Sequence, residues 1–235
     1  MPASSSEGDA DHQALRRDRV DAALPLDAVA VRAILSAVPT TDSASRIVRA
    51  DRHRLPALAS VLGRALADDP IFRWSLGEAA SAQAVAASAT AIYAPYADLG
   101  MVWECGDAAG AAVWVPPEGA YHLATGDPAA ASPTAGAPDE INLRQATWDW
   151  LESYVPEGVW YLEVLGVEPA CQHRGVGTSL TRHGLERAFE DGVDAFLETS
   201  VASNVPYYQH LGFNVVDEGD IPAGGPHVLF MTCTP

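Results

Sequence analysis

Three kinds of stretch alternate along the chain: unbroken apolar runs, runs with an apolar residue every third or fourth position, and polar or glycine- and proline-rich joints. Trp160–Val167, WYLEVLGV, is mostly apolar with a β-branched bias, which predicts a central strand buried on both faces. Glu168-Pro169 ends it, because proline donates nothing to a sheet ladder. Shorter runs at 45–50, 101–105, 110–115, 195–200, 214–216 and 227–233 read as further strands, the second and third joined by a Gly-Asp-Ala-Ala-Gly turn. Helical spacing appears in Leu55, Leu58, Val61, Leu62 and Leu66, predicting a helix over 55–66 that Asp68-Asp69-Pro70 breaks. An alanine-rich helix is predicted over 79–96, and another over 140–154, where Ile141, Leu143, Ala146, Trp148 and Leu151 repeat at helical intervals. A helix over 178–190 turns Leu180, Leu185 and Phe189 inward and stops at Asp191-Gly192, and a short one covers 204–210. Helices and strands interleave without an internal repeat. The pattern predicts an α/β or α+β fold around one sheet.

The two ends of this pattern differ from its middle. Residues 1–21 are small, polar and charged, with too little apolar surface to order themselves. Leu26, Val29, Val31, Ile34 and Leu35 then predict an amphipathic helix over 24–38, ahead of the domain. The expected organisation is an extension over 1–44 and one domain over 45–235. The segment 116–138 is rich in Pro, Gly, Ala and Ser and has no periodicity, which predicts a long loop that is either mobile or functional.

Composition narrows the function. A formal net charge of −17 over 235 residues argues against nucleic acid, which needs a basic face, and against an anionic membrane surface. Three cysteines at 105, 171 and 233 have no metal-ligand spacing and cannot all pair, so no metal is expected and a reducing compartment is. No apolar run reaches membrane-spanning length, and the acidic, polar start MPASSSEGDADH is unlike a signal peptide. The expected location is cytoplasmic.

The chemistry centres on Gln172-His173-Arg174-Gly175-Val176-Gly177, between the central strand and the helix that follows it. The first turn of a helix carries N–H groups without intrahelical partners, and its dipole places positive charge there. Glycines let a phosphate approach those amides, and Arg174 adds a forked cation. The same spacing can serve merely as a tight turn. It is neither the G-x-G-x-x-G of a dinucleotide fold, since Leu180 stands at the third position, nor a P-loop.

Gln172-x-x-Gly175-x-Gly177 after a strand resembles the acyl-CoA pyrophosphate loop of the GNAT acetyltransferase superfamily. Ala195 to Ser200, and Asn204-Val205-Pro206-Tyr207-Tyr208 leading to Gly212-Phe213, resemble the N-x-P-[FY]-Y-x-x-x-G-F element of a bacterial branch that includes puromycin N-acetyltransferase. Ala67-Asp68-Asp69-Pro70, Ala112 to Pro117 and Gly225-Pro226 to Met231 also look like that branch. The resemblance spans roughly 45–233 and is most specific in the C-terminal half.

The resemblance implies the GNAT fold, one mixed, mostly antiparallel central sheet flanked by helices, and an acetyl-CoA-dependent N-acetyltransferase. It implies that neighbouring strands splay beside Leu165, Gly166 and Val167, whose backbone meets the pantetheine arm, and that Gln172, His173, Arg174, Gly175, Val176, Gly177 and Thr178 hold the pyrophosphate. Asn204 would bond the arm or cap its helix. Tyr208, four residues before Gly212, matches the tyrosine that protonates the leaving thiolate; Tyr207 is expected to face the other way and pack. Glu163 shares a face with Leu165 by strict alternation and is the candidate base, with a strand-edge charge as the plainer reading. Asp68, Asp69, Phe72 and Glu198 are the candidate acceptor site; a solvated turn is the plainer reading of the aspartates, and structural hydrogen bonding of Glu198. The expected acceptor is a primary amine of a small molecule, with an antibiotic or aminonucleoside (resistance) suggested by the branch. A protein or peptide amine acetyltransferase and a non-catalytic acyl-CoA-binding regulatory module are the alternatives. A monomer and a homodimer are both compatible with the sequence.

Overall fold

The computed structural model describes residues 46–118 and 146–235. The expected extension at 1–44, all but the first residues of the 116–138 loop, and the start of the 140–154 helix lie outside the described residues.

Seven strands form one open sheet in the order β1-β2-β3-β4-β5-β7-β6. They are β1 (Ile47–Arg49), β2 (Val102–Cys105), β3 (Gly110–Val115), β4 (Trp160–Val167), β5 (Ala195–Thr199), β6 (Asn214–Asp220) and β7 (His227–Cys233). Every pairing is antiparallel except β4 with β5. The expected mixed, mostly antiparallel sheet is therefore the observed one. β4 is central, and alternate residues serve two cores. Tyr161 and Val164 enter the first, with Leu58, Leu62, Phe196 and Phe230. Trp160 and Leu162 enter the second, with Trp114, Leu180 and Leu185.

On the first face lie α1 (Leu55–Leu66), α2 (Pro70–Leu76) and α3 (Ala82–Asp98), with a helical run at 146–152. Asp69 begins α2: its carboxylate accepts from the Ile71 and Phe72 amides, an N-cap followed by proline at the first helical position. The sequence reading ended the helical pattern at this Asp-Pro; the same residues start a new helix and carry Phe72 with it. On the second face lies α4 (Val176–Glu190), with α5 (Val205–His210) beyond. A Cβ on Gly184 would stand 2.0 Å from the Trp114 ring, so α4 seats directly on that indole, whose Nε1 donates to Leu180 O at 3.2 Å. β6 runs four residues past its expected end, because Asp217-Glu218-Gly219-Asp220 is a polar stretch on an edge strand that no apolar alternation marks.

Two irregularities prepare the site. β4 pairs with β5 only at Trp160–Ala195 and Tyr161–Phe196, after which the strands separate. Opposite β3, Val113 pairs with Val164 but Trp114 with Leu162, so Glu163 is an extra residue in a β-bulge. Such a bulge bends and twists its strand. The far half of β4 thereby turns away from β5 and leaves a wedge between them.

Candidate active site

The wedge opens on one side into a cleft of about 810 Å³ and on the other into a pocket of about 90 Å³. Leu66, Asp69, Leu165, Asn204 and Tyr208 line both, so the two meet at the end of the splayed strands.

The strand edge and the glycine turn form one side of the large cleft. Gly166 and Val167 lie along one wall, and Gln172, His173, Gly175, Gly177 and Thr178 close the end. Gly175 adopts φ +83° and caps α4 without any side-chain hydrogen bond, leaving the first amides of the helix unmet by a cap. A left-handed residue with no Cβ permits this geometry at little cost. Gly177 is helical; a Cβ there would meet Tyr207 Oη at 3.3 Å and Val167 Cγ2 at 3.4 Å. Two expected loop residues do not line the cleft. The Val176 side chain is buried in the second core, and Arg174 is exposed. Tyr207 packs against the second core, as expected, but also lines the cleft, and its hydroxyl lies 3.2 Å from Thr181 Oγ1.

The small pocket is built from side chains. Asp69, Glu163 and Glu198 enter it from three segments, with Phe72, Tyr93, Trp148 and Tyr208 as aromatic walls. Among the described residues lining it there is no Lys, Arg or His. Tyr161 Oη donates to Glu198 Oε1 at 2.8 Å. Burial pushes Glu163 up to about 7, partly opposed by a hydrogen bond from Tyr161 and reinforced by the charge of Glu152. Burial also raises Glu198, to about 8, and the neighbouring Glu163 charge adds to it. Asp69 is raised by burial as well, against the pull of its two amide donors. Tyr208 is buried and its phenol is held well above its usual value, by burial first and then by Tyr207, Glu198 and Asp69. It packs edge-on against Tyr207, with ring centroids 4.9 Å apart, and against Phe213 at 5.9 Å.

The acidic pair before Pro70 divides. Asp69 points inward, whereas Asp68 is almost fully exposed, stands at the mouth of the large cleft and pairs with Arg73 at 3.1 Å. The bulge also corrects the strand reading: Leu165 packs with the second core, while Glu163 turns to the first face beside Tyr161. Sequence reasoning passed over Tyr161, Tyr93 and Trp148. The i, i+2 spacing of Tyr161 and Glu163 was an available signal; nothing local marks the other two.

Residues 141–213, which span β4, the glycine loop and the Tyr207-Tyr208 helix, match the model of the acetyltransferase (GNAT) family. Over that segment the chain is similar to the GNAT acetyltransferases. The GNAT fold extends beyond that segment. A Corynebacterium glutamicum structure named histone acetyltransferase HPA2 and related acetyltransferase superposes with a TM-score of 0.59 at 23% identity, covering 80% of this chain and 95% of that one. A mosquito arylalkylamine N-acetyltransferase-like 5b gives 0.55 at 15% identity, covering 81% and 100%. A Drosophila melanogaster polyamine N-acetyltransferase gives 0.52 at 15% identity, covering 81% and 99%. GNAT enzymes use acetyl-CoA. The residues here suit it: an uncapped helix start offers amides to a pyrophosphate, and the unpaired edge of β4 offers alternating donors and acceptors to an amide-bearing arm.

Proposed function

We propose that this protein transfers the acetyl group of acetyl-CoA to the primary amine of a small molecule, directly and without a covalent enzyme intermediate. The observation that carries this reading is the small acidic pocket meeting the large cleft at Tyr208. A cavity with three carboxyls and no basic residue among the described ones lining it attracts a cation, and an alkylammonium is the cation that becomes a nucleophile on losing a proton. Its size admits an amino group and a few atoms beyond it, which favours a small molecule over a protein segment.

In this mechanism Gly166, Val167 and the amides of 175–178 hold the cosubstrate, with Gln172, His173 and Asn204 beside it. Bound acetyl-CoA supplies an activated thioester carbonyl. Asp69, Phe72 and Glu198 receive the acceptor. Glu163, poised near neutrality, takes the ammonium proton. Tyr208 stays protonated at neutral pH and delivers a proton to the departing sulfur. The likeness of 204–213 to the puromycin-acetylating branch makes aminonucleosides and other antibiotic amines the acceptors to test first.

The test is thiol release from acetyl-CoA across a panel of small primary amines, their N-methylated tertiary counterparts and a peptide amine. Turnover with small primary amines and none with tertiary ones is the expected result. Turnover confined to peptide amines, or coenzyme A binding without any turnover, would replace the reading.

A further inference from the structure

The arginines divide between the two sides of the sheet. Beside α1, α2 and α3, Arg52, Arg54, Arg64 and Arg73 each meet a carboxylate within 3.1 Å. Two neighbouring residues of β2 show the division. Glu104 takes Arg54 at 2.7 Å. Trp103 points to the opposite face and packs in the second core. Arg49 of β1, its cross-strand partner, places Cζ 5.0 Å from the centre of the indole, and Arg187 of α4 places Cζ at 4.7 Å. One guanidinium on an indole is attracted to the ring; a second brings a like charge to the same place.

His183, whose ring lies 4.2 Å from that of Trp103, does not offset these charges. Its Nε2 accepts from Arg187 Nε at 3.1 Å, which requires a neutral imidazole with its proton on Nδ1. Burial first, then the charges of Arg187 and Arg49, lower its pKa to about 4. The Trp103 Nε1 is buried and has no acceptor among the described residues. Among those residues, no carboxylate pairs with Arg49 or Arg187 either, although acidic residues outnumber basic ones by 31 to 14 along the chain. Glu186 and Glu190, the acidic residues of α4, are exposed and pair with neither. The cluster is therefore rich in donors, and the one acceptor it contains is already used.

We propose that Arg49 and Arg187 bind a small dianionic oxyanion beside Trp103, at a second ligand site outside the two cavities. Neither arginine lines the cleft or the pocket. A guanidinium fork matches the paired oxygens of a phosphate or carboxylate, and two forks suit a ligand with two negative charges. Such a ligand relieves the like-charge contact at the ring. Arg49 is exposed on the edge strand and Arg187 is half-buried, so both are open to an anion arriving from solvent. The ligand chemistry is that of a phosphate group or a dicarboxylate. The site does not rest on the acetyl-transfer reading.

The test is titration calorimetry of the full chain at neutral pH and constant ionic strength, with inorganic phosphate and succinate as probes. Excess coenzyme A is present, so that the glycine turn is already filled. Saturable binding with a Kd of about 1 mM or tighter is the expected result. Uptake of phosphate alone assigns the site to a phosphate group, and uptake of succinate alone to a dicarboxylate. Arg49→Gln and Arg187→Gln should each weaken binding by about tenfold or more, the loss of one charge-assisted hydrogen bond. Arg52→Gln removes an arginine already paired with Asp98 and should leave binding unchanged. Binding of neither probe overturns the proposal, as does binding that Arg49→Gln leaves intact. If Arg187→Gln does not fold, the exposed Arg49 still decides. Binding that appears only without coenzyme A belongs to the large cleft and overturns a separate site. If coenzyme A itself does not bind, the cosubstrate reading falls while the arginine variants still decide this one.

Discussion

The two cavities that meet at Tyr208 are made of different material. The large cleft takes a helix start, a glycine turn and a bare strand edge from residues 165–178, with α1, Asp68, Asp69, the segment at 201–204 and α5 completing it. The small pocket draws its carboxyls and rings from 69, 72, 93, 148, 163, 198 and 208. A strand edge and a helix start suit what every acyl-CoA carries, an amide-bearing arm and phosphates, which is the use proposed for the large cleft. A site made of side chains from separate segments can be altered one residue at a time, and its charge decides which acceptor enters. The cofactor half should therefore respond to backbone-shaping changes through affinity. The acceptor half should respond to single polar atoms through rate.

The largest effect is expected where the halves meet. Tyr208→Phe keeps the ring contacts with Tyr207 and Phe213 and removes one hydroxyl. General acid catalysis contributes about 10²–10⁴-fold, so kcat and kcat/KM for the amine should fall together by roughly that factor. Acetyl-CoA affinity by calorimetry and melting temperature should barely move. Unchanged turnover in a folded variant, with chemistry limiting the rate, would remove Tyr208 from the mechanism and leave water as the proton source.

A smaller effect, of another kind, is expected in the cofactor half. A valine at 177 has the backbone conformation it needs, since Gly177 is helical, although its Cβ would stand 3.3 Å from Tyr207 Oη, so that side chain must give by a few tenths of an ångström. Its branches project toward Tyr207 and into the cleft. Displacing a pyrophosphate from one charge-assisted amide bond costs about 1.5–3 kcal/mol, or roughly 10- to 150-fold in Kd for acetyl-CoA. Turnover at saturating acetyl-CoA should change far less. A variant that binds acetyl-CoA as tightly as the parent would move the pyrophosphate away from this turn.

The same contrast explains what could be read from the chain. β4, the loop at 172–177 and α4 follow one another, so each boundary carries a local signal: Pro169 after the strand, Gly175 at the cap, apolar spacing in the helix. The pocket has no such signature. Asp69 and Glu198 lie far apart in sequence, and only the splay and the sheet order bring them together. The bulge escaped notice because alternation assumes a regular pleat; one extra residue at 163 turns Glu163 away from the face of Leu165. α2 escaped because proline ends a helix when read from one side and begins one when read from the other. Arg174, read as a forked cation for phosphate, is exposed on the turn and is not among the residues lining the cleft.

The smallest effect is expected at the outer end of β4, where the two kinds of construction touch. Arg64 on α1 donates to Glu168 through Nε at 3.0 Å and through Nη2 at 2.6 Å, fastening the strand end to the helix that lines both cavities. The guanidinium is about half exposed, so water screens the pair and its contribution at pH 7 is about 0.2–1 kcal/mol. Arg64→Ala should lower stability by no more than that. The sign of its pH dependence follows from Glu168, whose carboxyl the Arg64 hydrogen bonds hold below the ordinary 4.5. A depressed carboxylate stabilises the fold above its unfolded value, and that contribution is lost as pH falls through the folded one. The difference between parent and variant, measured by chemical denaturation, should therefore be steady from neutral pH down to about 5 and shrink below 4.5. If the variant instead loses acetyl-CoA affinity by more than about tenfold at pH 7, the clamp does more than hold the strand end. The unpaired edge of β4 would then depend on α1 for its shape, and the cofactor half would owe its geometry to a side-chain contact after all.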